Sequence, residues 1–124
     1  MKGTLRLFVL LTLATALSGC IMSTSPDPSE KITMHPLNIE TFLVIASKAP
    51  YPSNTTLSYE WYVDDEWTGN SSCSFIYIPR IRDIGDHVIQ CRVEVRKYVD
   101  GGYEVIWSDF RKWDVEVVEY QVGV

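Results

Sequence analysis

The stretch Leu57-Ser58-Tyr59-Glu60-Trp61-Tyr62-Val63 constrains this chain more than any other. Leu57, Tyr59, Trp61 and Val63 alternate with Ser58, Glu60 and Tyr62, and a period of two belongs to a strand with one buried face. Aromatic and β-branched residues fit such a pleated surface. Asp64-Asp65 then ends the apolar side with turn chemistry. Trp61 is the largest inward side chain and is expected where two sheets meet. No segment after Cys20 shows helical periodicity of useful length, so the other apolar runs are read as strands laid around Trp61.

Ile32 and Met34 begin a first strand that Pro36 stops or places at an edge. Residues 39–46, IETFLVIA, have the apolar, β-branched look of a strand buried on most of its length. Residues 48–56 form a loop rich in Pro, Ser and Asn. Residues 73–78 make a further strand, with Cys73, Phe75 and Tyr77 on one face and Ser74, Ile76 and Ile78 on the other. His87, Ile89, Cys91, Val93 and Val95 give the clearest alternation in the chain. Asp100-Gly101-Gly102 is a hairpin turn, where glycine supplies a positive φ. The return strand or strands run from Tyr103 to Tyr120, with Trp113, Val115 and Val117 inward. Roughly six or seven short strands predict an all-β sandwich.

The N-terminal twenty residues read as targeting rather than fold. Lys2 and Arg6 precede an apolar run, Leu7 to Leu17, that is too short to span a bilayer and suits a signal-peptide core. Leu17-Ser18-Gly19-Cys20 follows at once. This order resembles a prokaryotic lipoprotein precursor, whose lipobox ends in the Cys that becomes acylated and N-terminal. The alternative is a plain membrane anchor with an incidental Cys. The resemblance implies a signal peptide over 1–19 and a palmitate-type acyl anchor on Cys20, in a protein of the cell surface or periplasm. Residues 20–30 are then the lipidated Cys and a flexible tether, because Ser23 to Glu30 is polar with two prolines. The folded domain spans 31–120 and a short tail 121–124.

Cleavage removes Lys2 and Arg6 and no acids, so the net charge of −5 becomes −7. A net-acidic domain without a basic run is a poor partner for nucleic acid or for anionic lipid headgroups. With Cys20 set aside, Cys73 and Cys91 are an even remainder in an exported protein, where disulfides persist. If residues 73–78 and 87–95 run antiparallel, Cys73 lies near the level of Cys91; adjacent sheets stand ~10 Å apart, so a bond needs local approach to bring the Cα atoms within roughly 7 Å. A Cys73–Cys91 bridge would close about 18 residues and contribute on the order of 3 kcal/mol; two buried free thiols are the alternative.

In outline the order of features from Lys31 to Tyr120 resembles an immunoglobulin-like sandwich of the polycystic-kidney-disease (PKD) type, common on prokaryotic surfaces. Tyr59-Glu60-Trp61 with Asp64-Asp65 is similar to that family's Tyr-x-Trp strand and acidic turn. Phe75 with Tyr77 resembles its Phe-x-Tyr strand. Gly85-Asp86-His87 before alternating Val and Ile resembles its Gly-x-Tyr-x-Val, with His87 where Tyr is usual. The resemblance implies a PKD-type antiparallel sandwich of about seven strands.

Little in the sequence suggests catalysis. There are two histidines, His35 and His87, and His87 alternates with core positions, which reads first as a satisfied structural residue. No nucleophile elbow, His-Glu-x-x-His or Cys-x-x-Cys occurs. An enzyme is not expected, nor a cofactor. Asp64, Asp65 and Glu66 are the candidate Ca²⁺ ligands, although a lone acidic triplet is first a solvated turn. Asn54-Thr55-Thr56 and Asn70-Ser71-Ser72 are sequons in expected loops. Tyr62, Trp67, Tyr98, Tyr103 and Trp107 do not all fit on the inward face, so they are candidates for a partner-binding patch. The alternative is that they cover neighbouring strands. The expected function is a membrane-anchored, non-catalytic binding or spacer module for protein or carbohydrate. The alternative is an accessory subunit of an envelope complex or secreted enzyme, docked through an edge strand or the aromatic patch.

Overall fold

Alternation of apolar and polar residues organises the chain into eight strands and no α-helix among the described residues, 20–47 and 54–120 of a computed structural model. In chain order they are β1 (Cys20–Ser25), β2 (Ile32–Met34), β3 (Glu40–Ser47), β4 (Thr55–Val63), β5 (Glu66–Trp67), β6 (Ser74–Tyr77), β7 (Gly85–Val99) and β8 (Gly102–Val117). They form two sheets. One has the order β1-β3-β6, the other β2-β8-β7-β4-β5. All pairings are antiparallel except β2 with β8. No helix of the described residues is long and apolar enough to cross a membrane.

The sheets pack face to face through the residues that the alternation marks as inward. Trp61 is fully buried and stacks on Trp113 of its own sheet and on Phe75 of the opposite one. Phe42 from β3 meets Trp113 edge-on at 5.0 Å. Ile89, Cys91, Val93 and Val95 line the β7 side, and Val115 and Val117 the β8 side. The Trp61 indole N–H, which would be costly to bury unpaired, donates to the Ser72 carbonyl at 2.7 Å. The Trp113 indole N–H donates to the Pro26 carbonyl at 2.8 Å.

Both expected tight turns are present. Asp64 and Asp65 have φ of 50° and 67° and join β4 to β5 as a two-residue hairpin. Positive φ at both positions is the type I′ requirement, and Asp tolerates it better than most residues. Asp100-Gly101 joins β7 to β8, with Gly101 at φ 85°.

Three expectations are corrected. Residues 20–25 are not a flexible tether: they form β1, paired from Cys20↔Ser47 to Ser25↔Leu43, with Ile21 packed on the core. The polar composition that suggests a tether suits an edge strand equally well, since only one of its faces meets the core. Residues 39–46 are not buried on most of their length, because Phe42 and Val44 point inward while Thr41 and Ile45 are exposed. The third is the bridge: the strand of Phe75 is paired with β3 in the sheet opposite β7, and Cys73 is a free thiol in an exposed position and Cys91 a free thiol in the core, with no bond between them. The signal peptide over 1–19 and the tail 121–124 lie outside the described residues.

Candidate functional site

The outward face of the five-stranded sheet follows from register. Trp67, Tyr62, Gln90 and Lys112 are successive cross-strand partners over β5, β4, β7 and β8. The next outward row is Glu60, Arg92 and Phe110, and Thr56 and Arg96 share a further one. Tyr98 faces Tyr103 beside the β7–β8 turn. Directly opposed side chains are close enough to interact, so Trp67, Tyr62, Arg92 and Phe110 make one platform. Trp67 is 61% exposed and Phe110 52%.

Cation–π contacts stiffen this face. The Arg92 guanidinium lies 5.6 Å from the centre of the Tyr62 ring, and that of Arg96 lies 4.4 Å from the Tyr103 ring. Arg96 also pairs with Glu94 at 2.8 Å and Glu60 at 3.4 Å. Burial, then the neighbouring Glu60 carboxylate, pushes the Tyr62 phenol above its usual range, so it stays a neutral donor and acceptor. An open depression of about 430 Å³ between β7 and β8 is lined by Arg92, Glu94, Ser108 and Phe110 among others. Flat aromatic surface, guanidinium and carboxylate in one shallow hollow can stack on a sugar ring or seat a polar peptide. Nothing there is arranged as a nucleophile with its base.

Of the five candidate aromatics, Trp67, Tyr62, Tyr98 and Tyr103 share this outward face. Trp107 does not: it lies opposite Val95 in the same unbroken register as Trp113 opposite Ile89, partly buried against the core, and the register shift that follows lets Tyr103 face outward. Phe110 and Arg92 were missed by the sequence reading. Their signal was the parity of their strands: residues 110 and 112 must point away from the core if Trp113 points into it.

The remaining candidates have structural occupations. Asp64 is engaged: its carboxylate contacts His87 Nδ1 at 2.6 Å and accepts from the Val88 N–H at 2.9 Å. Asp65 and Glu66 are exposed in the hairpin. Among the described residues no three His, Cys, Asp or Glu side chains are placed to hold a metal, so the Ca²⁺ candidate Asp64-Asp65-Glu66 is not assembled. The Asn70 side chain closes a turn, accepting from the Ser72 N–H at 2.8 Å and donating to the Ser74 carbonyl at 3.1 Å. Asn54 is exposed. Burial, with a smaller contribution from the Cys73 sulfur, pushes the Cys91 thiol up to about 12, which makes it a poor nucleophile. Cys20 opens β1 opposite Ser47. No family model matches the chain, and no curated protein matches it either.

Proposed function

We propose that the chain is a lipid-anchored lipoprotein of the cell surface or periplasm whose immunoglobulin-like, PKD-type domain is a non-catalytic binding module. The observation that carries the binding reading is the exposed Trp67–Tyr62–Arg92–Phe110 platform on a sheet whose opposite face is a packed core. Aromatic and Arg side chains are the residues that dominate recognition surfaces. Its partner is a protein or a carbohydrate. The strand order supports the Ig-like assignment, because β8-β7-β4-β5 corresponds to the G-F-C-C′ order of such domains and β1-β3-β6 to A-B-E. The anchor rests on Leu17-Ser18-Gly19-Cys20.

Two substitutions test the reading separately. Cys20→Ser is expected to move the protein out of the membrane fraction or leave it as precursor; acyl label retained by that variant would refute the anchor. Trp67→Ala with Phe110→Ala is expected to weaken binding to envelope polysaccharide or surface protein of the host by about tenfold or more, the effect of losing roughly 1.4 kcal/mol or more. Unchanged binding by a folded double variant would refute the platform. The accessory-subunit reading is favoured by β6, a four-residue edge strand with no charge. It stands second because the Ser74 carbonyl is already taken by Asn70 and Ser72.

A further inference from the structure

The two sheets differ sharply in what they show to the outside. In the three-stranded sheet the sequences are CIMSTS, ETFLVIAS and SFIY, and Glu40 is their only charged side chain. Phe42, Val44, Phe75 and Tyr77 point into the core. The outward positions include Leu43, Ile45 and Ile76, and Ile39 and Ile78 extend the same apolar band past the paired residues. Ile39 is 66% exposed, Ile76 57% and Ile45 43%. The five-stranded sheet instead turns Glu60, Arg92, Glu94, Arg96 and Lys112 outward. A water-facing sheet of an antiparallel protein is ordinarily polar on that side, and a contiguous exposed apolar face marks a contact surface.

The position of β1 identifies the contact. Cys20 is itself in the ladder, paired with Ser47, and Ile45 lies opposite Ser23, three residues farther along. At strand rise that is about 10 Å. An acyl group on Cys20 therefore has no slack before the sheet begins. We propose that the outward face of the three-stranded sheet rests on the bilayer that holds the Cys20 lipid, with its Ile and Leu side chains at the headgroup boundary. This rests on the lipoprotein reading. The net charge of −7 after cleavage gives no attraction to anionic headgroups, so contact has to come from buried apolar area. The arrangement turns the Trp67–Phe110 platform away from the membrane, where a ligand can reach it.

The test uses the full chain purified from membranes and reconstituted in phosphatidylcholine vesicles, with and without spin-labelled lipid. In a Cys73→Ser background, where Cys91 is buried, an environment-sensitive dye is attached at Ile45→Cys, Ile76→Cys or, as the opposite-face control, Lys112→Cys. Mass analysis of the N-terminal peptide first establishes whether Cys20 is acylated. The expected result is a blue shift at positions 45 and 76 and quenching by spin-labelled lipid several-fold stronger than at 112. Equal, weak quenching at all three positions in an acylated chain overturns the bilayer contact and leaves the anchor standing. Self-quenching at position 45 that grows with protein density, without lipid quenching, assigns the face to a second copy and also overturns it. An unacylated Cys20 in membrane-derived protein overturns the anchor and this orientation together.

Discussion

His87 has an acceptor at each ring nitrogen: Asp64 Oδ2 at Nδ1 and the Asp83 carbonyl at Nε2. Only the doubly protonated ring donates at both. Burial lowers its pKa, but hydrogen bonds to Asp64 and Asp83 outweigh that and raise it above 6.5. Burial works the other way on Asp64, and there the contacts with His87 and the Val88 N–H lower the pKa below 3.8. The His87 contribution is therefore fully present below 6.5 and is lost as pH rises through its raised folded value. The Asp64 contribution is present above 3.8 and is lost as pH falls through its depressed folded value. The clasp between the β4–β5 turn and the start of β7 is complete from 3.8 to 6.5. Denaturant unfolding is expected to show greater stability near pH 6 than near pH 8.5, by on the order of 1 kcal/mol because Asp64 is half open to solvent. His87→Gln should flatten that dependence; an unchanged profile in the variant would assign it to other groups. Sequence periodicity marked His87 as a satisfied residue at a core-facing position, but of its two partners only Asp83 is near it in the chain, and Asp64 comes from the β4–β5 turn.

At the scale of elements, β1 distinguishes the structure from the composition. A polar, Pro-containing segment reads as a tether, yet five of its residues pair with β3, and the Pro26 carbonyl accepts from buried Trp113. A variant beginning at Pro26 is expected to lose about 1–2 kcal/mol of stability, the scale of Ile21's apolar contact plus the lost ladder. Equilibrium denaturation measures it, and an unchanged midpoint would restore the tether. The β4–β5 connection was more legible. Asp64-Asp65 announces a turn, although its I′ geometry follows from the twist of the strands it joins.

The whole molecule depends on contact between the sheets, and Trp61 lies at its centre, touching Phe75 across the interface and Trp113 beside it. Trp61→Ala should cost about 3–5 kcal/mol, a large part of the roughly 5–15 kcal/mol that stabilises an ordinary domain. Trp61→Phe should cost less while leaving the Ser72 carbonyl without its donor. Thermal or denaturant unfolding of both variants would order them, and equal midpoints for the wild type and Trp61→Ala would remove Trp61 from its central role.

Local pattern determined the main strands after β1, the inward residues of β4, β7 and the end of β8, and both tight hairpins, because alternation and turn chemistry depend on residues a few positions apart. The inward sets around Trp61, Ile89 and Trp113 are legible for that reason. Tertiary structure alone decided which strands are neighbours. The period of two in residues 73–78 is the same whether they pair with β3 or with β7, so the sequence could not assign them a partner strand. Nor could it show that Trp67, Tyr62, Arg92 and Phe110 meet, since they come from four strands and are brought together only by register. Register is set by burying one face of every strand at once, a condition on the whole chain that no short window contains.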